Sequence, residues 1–288
     1  MPADAPAYNG SMTLPMPTLD HVVINARERL DDALACYRRL GFLLTPRGYH
    51  TLGSMNHLAI FGTEYLELIG LGPGATRSDL LRFPEGLDGL VFGTEDSLGV
   101  HRALAAAGVP VAEPSEFSRP VELPDGKADA AFRTVRLLPE AAPYGRLYFC
   151  HHFTRHLVWR DEWRRHPNGV IGVARAVICA ADPAAAAPLY RTMFGPDAVR
   201  ATAEGCSVLV GLSRFDIVTP RVLAGWFGDA APDPQGRRDY MAGLTLRCAD
   251  PARAAGVLQA AGVALTRNAD RLIVPAREAF GATLEFAA

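Results

Sequence analysis

The chain has 288 residues, 49% hydrophobic and 21% charged, with a formal net charge of −2, enough for one large domain or two medium ones. That balance gives no electrostatic footprint for nucleic acid or an anionic membrane surface, and no apolar run approaches the roughly 20 residues of a spanning helix. Five scattered cysteines (Cys36, Cys150, Cys179, Cys206, Cys248), none in C-x-x-C spacing, argue against a disulfide framework or a zinc ribbon and fit a reducing cytoplasm.

Residues 1–17, MPADAPAYNGSMTLPMP, lack the basic start and apolar stretch of a signal peptide and are expected to be a disordered tail. From there four segments share one plan, an apolar strand, a polar break, an Ala/Leu-rich helix and a glycine. They begin at Leu19 (LDHVVINARERLDDALACYRRLGF), Leu87 (LDGLVFGTEDSLGVHRALAAAGV), Val173 (VARAVICAADPAAAAPLYRTMFG) and Met241 (MAGLTLRCADPARAAGVLQAAGV). Asp31, Glu95 or Asp96, Asp182 and Asp250 are placed to cap the helices, and Pro183 and Pro251 follow at first helical positions. Gly41, Gly108, Gly195 and Gly262 stand where the helices should end.

Shorter strand candidates follow each helix: HLAIF and EYLELIGL, AAFRTVRLL and RLYFCHH, CSVLVGL and RFDIVTP, RLIVPA and ATLEFAA. Each unit is then β-α-β-β-β, of roughly 50 to 70 residues, too small to cover its own sheet, so the units must pair. The expected layout is a first pair at 18–153 (modules 18–71 and 86–153), a connector at 154–170 and a second pair at 171–288. A single open α/β sheet is disfavoured by three strands per helix and by the lack of G-x-G-x-x-G.

Paired βαβββ modules with His21 on the first strand (LDHVVI) and Glu67 on the last (YLELIGL) resemble the vicinal-oxygen-chelate superfamily. It includes glyoxalase I, extradiol dioxygenases, fosfomycin-resistance enzymes and non-catalytic bleomycin-binding proteins. The resemblance runs from Thr18 to the C-terminus and is closest to the glyoxalase-like branch. It implies an α+β fold of two cupped-sheet domains, with one divalent metal ion (Zn, Ni, Mn or Fe) in a cup.

Strand alternation puts Val22 and Ile24 on one face of the first strand and His21, Val23 and Asn25 on the other. Likewise Leu66 and Leu68 oppose Tyr65, Glu67 and Ile69. If the aliphatic faces pack on the helices, His21 and Glu67 both enter the cup, where a buried carboxylate needs a partner such as a metal. The resemblance implies a third ligand from the second module. Gly89 there matches His21 and supplies nothing, whereas RLYFCHH turns Tyr148, Cys150 and His152 toward the cup. His152 is the first choice, completing a two-histidine, one-carboxylate set, with His151 available only through a bulge.

Leu58 and Ile60 read as helix-facing, which sends His57 into the cup and leaves Asn56 on the other parity. Asn56 nevertheless resembles a substrate-contact position of glyoxalase-like relatives. Tyr65, Tyr148 and His166, the last on the connector, complete the expected substrate-binding residues. Trp159 and Trp163, four apart, suggest a helical stripe.

In the second pair Arg175 stands where His21 does, Gly243 lies in the fourth copy, and Glu285 keeps a carboxylate without a histidine companion. One metal centre is therefore expected, in the first pair, with the second pair structural or helping to wall the pocket. The resemblance implies a lyase or isomerase acting on a small molecule that chelates metal through adjacent oxygens, Glu67 moving the proton. An Fe(II) ring-cleaving dioxygenase and a non-catalytic binder remain open. The expected partner is a small-molecule substrate, not nucleic acid or membrane, with a homodimer left open.

Overall fold

The computed structural model describes residues 18–123, 126–268 and 270–288, so the expected tail at 1–17 lies outside the described residues. The first copy gives β1 (Leu19–Arg27), α1 (Leu30–Arg39), β2 (Gly48–Tyr49), β3 (Ser54–Ile60) and β4 (Tyr65–Leu71). A one-turn helix α2 (Ser78–Leu81) leads to the second copy. That copy gives β5 (Gly86–Gly93), α3 (Ser97–Ala106), β6 (Ser115–Leu123), β7 (Gly126–Arg136) and β8 (Arg146–His152). The third copy comprises β9 (Val170–Cys179), α4 (Pro183–Phe194), β10 (Val199–Thr202), β11 (Gly205–Val210), β12 (Ser213–Val218) and then α5 (Pro220–Phe227). The fourth comprises β13 (Tyr240–Cys248), α6 (Pro251–Ala260), β14 (Thr266–Asn268), β15 (Arg271–Val274) and β16 (Thr283–Ala287).

These strands form two eight-stranded sheets of the same order, β2-β3-β4-β1-β5-β8-β7-β6 and β10-β11-β12-β9-β13-β16-β15-β14. Within each module the first and last strands run parallel, and the two modules meet through antiparallel first strands, β1 with β5 and β9 with β13. The fold is α+β, with two cupped sheets.

Local chemistry explains the helix ends. Asp96, Asp182 and Asp250 accept hydrogen bonds from first-turn amides. Asp31 does not cap; α1 starts after Arg29, and Asp31 sits in the first turn, where its charge complements the helix dipole. Gly41, Gly108, Gly195 and Gly262 all have φ between 65° and 89°, the left-handed turn that a side chain resists.

Alternation decides which face goes where. Val22, Ile24, Leu66, Leu68, Leu147 and Phe149 join the helices in a core that also takes Ile178, Phe215, Leu284 and Phe286 of the second sheet. Phe92 meets Phe215 with ring centroids 5.8 Å apart, and Phe42 meets Phe286 at 6.5 Å. The helix-side faces of both sheets thus share one core, and the concave faces turn away from each other. Among the described residues none of the second sheet lines the first cup, which leaves the structural role, of the two expected for the second pair, and not a share in walling the pocket.

The connector forms two short 3-10 turns, Arg155–Leu157 and Asp161–Trp163, rather than the expected helical stripe. Leu157, Val158 and Trp159 are buried against the first concave face. Trp159 packs edge-on to Tyr65 at 5.3 Å. Among the described residues, no helix is long and apolar enough to cross a membrane.

Candidate active site

The first cup is organised by a bulge in β1. Leu19 pairs with Phe92 and His21 with the adjacent Val91, so Asp20 has no partner on β5. An extra residue of this kind re-aims side chains. Leu19 and Val22 both reach the core, while Asp20 and His21 come together. Asp20 Oδ1 accepts from His21 Nδ1 at 2.6 Å and from His152 Nε2 at 3.0 Å. Burial alone would raise the Asp20 carboxyl, but the charges and hydrogen bonds of His152 and His21 hold it well below the usual range.

With Nδ1 committed to Asp20, His21 presents Nε2 to the cup, 3.3 Å from the Tyr148 hydroxyl and 3.7 Å from Glu67 Oε2. Tyr65 stacks on the imidazole at 4.3 Å and 11°. Glu67, on β4 and 5% exposed, accepts from Asn56 Nδ2 at Oε1 over 2.7 Å. Burial opposes its ionisation, but His21, His50, the Asn56 hydrogen bond and Arg146 outweigh it and leave the carboxyl below its ordinary value. His50 contacts Ser54 Oγ at 2.9 Å and takes Asn56 Nδ2 at 3.3 Å. Burial pushes its pKa down to about 4, so its ring is neutral at physiological pH.

Four arginines also line this cup: Arg77, Arg119, Arg136 and Arg146. Arg146 forks onto both oxygens of Asp88, at 2.6 and 3.1 Å. Asp88 occupies a bulge in β5, between Gly89 and Leu87, that mirrors the one at Asp20. Arg77 is paired with Asp79. The cup holds about 40 Å³ of space for the centres of water molecules, suited to a few waters or a very small ligand.

Of the expected site residues, the structure brings His21, Asn56, Tyr65, Glu67 and Tyr148 into one cavity, with Cys150 packed beside them. His152 lies elsewhere. It shares Asp20 with His21, on the opposite ring nitrogen from Glu67, so the two expected ligands do not converge. His151 faces Ser97, away from the cup. His57 is a correction of parity. Leu58 and Ile60 face the cup and Ala59 and Phe61 the core, so Asn56 points in and His57 points out to Thr45 and Arg47. In a run apolar on both faces, alternation does not reveal the inner one. His166 is also corrected. Its Nδ1 accepts from Leu43 N and its Nε2 donates to Ile60 O, a fully bonded staple beneath Phe42 and Phe61.

Asp20, Asp88, His50 and the arginines were not anticipated. The signal for the aspartates lay in the repeats themselves. Copies one and two read LDH and LDG, where copies three and four have Ala174 and Ala242. Arg119 sits on β6, an edge strand with no strong apolar pattern.

The second cup carries a different centre. Asp216 pairs with Val177 as Glu67 pairs with Val23, and Arg175 takes the place of His21. Its guanidinium donates to Glu285, to Thr245 Oγ1 at 3.0 Å and to Asp216 at 3.4 Å. Trp226 of α5 covers it at 4.9 Å, and Leu223 and Phe227 of the same helix fill the concavity.

A family model described as "Glyoxalase-like domain" matches residues 19–194. The chain belongs to the glyoxalase-like domain family. Among curated proteins none matches the sequence. A hypothetical protein from Staphylococcus aureus is similar in structure, with TM-score 0.65 and 14% identity over 94% of this chain and 98% of that one. A mutant of 4-hydroxymandelate synthase from Streptomyces coelicolor gives TM-score 0.58 and 13% identity over 94% and 92%. A xylose isomerase-like TIM barrel/4-hydroxyphenylpyruvate dioxygenase fusion protein gives 0.59 and 14%, over 98% of this chain and 51% of that one. At these identities the likeness is one of fold, and the fold is that of the vicinal-oxygen-chelate superfamily.

The donor atoms suit a divalent ion. Nitrogen and carboxylate oxygen are the ligands of the zinc, nickel, manganese and iron class, and a carboxylate behind the imidazole is the usual outer partner of a metal-bound histidine. His21 Nε2 and Glu67 Oε2 meet this description. Asp20, His21 and His152 also lie close enough to share an ion among the described residues, but their present contacts have hydrogen-bond lengths. Buried Oδ1 of Asn56 has no partner among the described residues, marking an unmet acceptor beside Glu67.

Proposed function

We propose that the first cup is the active site of a metal-dependent glyoxalase-like lyase or isomerase acting on a small substrate with two adjacent oxygens. The observation that carries this reading is the approach of His21 Nε2 and Glu67 Oε2 to 3.7 Å inside a buried cavity, with Nδ1 fixed on Asp20. His21 and Glu67 would hold the ion, which when bound would supply Lewis-acid stabilisation of negative charge on the substrate oxygens.

The remaining work falls to the protein. The Asn56 hydrogen bond at Oε1 turns Oε2 of Glu67 toward His21, and this carboxylate is the group placed to take a proton from a substrate carbon and return it. Its depressed pKa keeps that carboxylate ionised at neutral pH. Burial raises the Tyr148 phenol well above its ordinary range, so it stays protonated and serves as a hydrogen-bond donor. Leu58, Ile69, Phe132 and Val158 line the cup and exclude water.

Metal analysis of the purified, reconstituted chain tests this reading. About one divalent ion per chain is expected, lost in His21→Ala and in Glu67→Gln and kept in Glu285→Gln. Less than about 0.2 ion per chain would overturn the metal-dependent reading and favour a non-catalytic binder. Loss in Asp20→Asn and His152→Ala but not in Glu67→Gln would move the ion behind His21.

A dioxygenase is the second reading, favoured by the fold likeness to the 4-hydroxyphenylpyruvate dioxygenase fusion protein. Oxygen uptake on catechols by anaerobically purified, Fe(II)-loaded protein would replace the lyase reading with it.

A further inference from the structure

The four cup arginines are not equivalent. Arg77 and Arg146 are ion-paired with Asp79 and Asp88. Arg119 and Arg136 have no carboxylate within 4.0 Å among the described residues, and no hydrogen bond from either guanidinium is found there. Arg119 is only 7% exposed. Its stem lies against Gly48, where an added Cβ would sit 2.9 Å from Arg119 Cδ, so the backbone has made room for it. Arg136 enters from β7, opposite Tyr148 on β8, and burial lowers the pKa of both guanidinium groups. Arg136 is partly exposed, but a guanidinium largely withdrawn from water with no carboxylate in contact gains when one arrives. Across the four cup arginines the ion-pair partners are two carboxylates, Asp79 and Asp88, and both are taken by Arg77 and Arg146.

We propose that Arg119 and Arg136 seat an anionic group of the substrate, a carboxylate or a phosphate, so that the first cup selects small anions over neutral analogues. The proposal rests on reading this cup as a substrate site, and not on the metal. A guanidinium is always charged and presents a planar fork of donors that matches either oxyanion. The cup's small volume limits the ligand to a compact molecule. In the second cup the same type of group, Arg175, is satisfied by Glu285 and Asp216 from within, so an external anion has no place there.

The test is calorimetric titration of the full chain after exhaustive chelation and removal of metal. Oxalate and inorganic phosphate are the anionic probes, and oxamide is the neutral counterpart of oxalate. Oxalate, phosphate or both should bind, with the tighter arm naming the headgroup, and oxamide should not. Arg119→Met and Arg136→Met should each weaken binding by about ten- to a hundredfold, the loss expected for a charged hydrogen-bonding partner. Arg119→Lys should lose less.

Binding of neither anion to wild type, equal binding of oxamide, or full affinity in both methionine variants would overturn the proposal. If a methionine variant fails to fold, the wild-type selectivity and Arg119→Lys still decide. The metal content of the same variants keeps the two readings apart. Anion binding without metal uptake sinks the metal reading alone, and metal uptake without anion binding sinks this one alone.

Discussion

At the centre of the first cup His21 stands between Asp20 and Glu67; at the same register of the second, Arg175 stands between Asp216 and Glu285. Both centres bury carboxylates, and buried carboxylates demand positive charge. The second cup answers with a permanent cation that is part of the chain. The first answers with an imidazole, whose Nε2 faces the cup, and on the reading proposed above that leaves room for an exchangeable cation. The surroundings follow suit. The bulge aspartates of β1 and β5 become Ala174 and Ala242, and the one-turn α2 becomes the two-turn α5, which fills the concavity. All eight histidines lie at or before His166. One half has kept an open, tunable centre and the other has closed its own.

The comparison can be broken most directly at His21. His21→Ala or Glu67→Gln should abolish metal binding and any turnover, while leaving the second cup and the fold intact by circular dichroism. Arg175→Met should do the reverse. Among the described residues it leaves Glu285 with only the part-exposed Arg271 and Asp216 with only Arg214 as counter-charge, so it should destabilise the chain by about 3 kcal/mol in urea titration and leave metal content in the first cup unchanged.

The pH response should also belong to the first half. The folded-state pKa of His50 is about 4 against an ordinary 6.5. As pH falls from 6.5 to 4 the unfolded chain therefore takes a proton that folded His50 refuses. The His50 contribution should decline across that window by up to about 3 kcal/mol and level off below it, where the depressed carboxyls of Asp20 and Glu67 carry the loss of stability further. His57 and His166, also lowered by burial, act in the same direction. Denaturation of wild type and His50→Gln between pH 7 and 4 measures the share due to His50; an unchanged slope would remove that assignment.

Asp20→Asn keeps the shape of the bulge but removes its charge, and metal affinity should fall by about 10- to 100-fold, read by competition with a chelator. The smallest effect is expected at Trp226. Its replacement by alanine removes a cation–π contact worth about 1 kcal/mol and should lower the melting temperature without touching the first cup.

Much of this was legible in the chain. The four copies, the capping acids of the last three and the inward parity of His21, Glu67 and Tyr148 follow from period-two alternation and from repeats of one plan. The errors share a physical origin. Alternation assumes an unbroken ladder, so Asp20, the bulge residue, was assigned to no face. It also needs one polar face, so the doubly apolar β3 misplaced His57 and Asn56. Arg119 and Arg136 come from the outer hairpin of the second module, where little in the local pattern separates a cup-lining arginine from a solvated one. Asp216 is hard to see because the third copy's RFDIV shares little with the first copy's YLELI beyond one acid at the same register.

The core common to both sheets has a further consequence, for how such a chain can be divided. In sequence the four repeats look like separable modules, and only one pair carries the candidate chemistry. Yet Phe42 and Phe92 of that pair are covered by Phe286 and Phe215 of the other. Cutting at the connector would bare the apolar backs of both sheets to water. The half with the closed cup is the floor on which the open one is built, and the two must be inherited, expressed and engineered together.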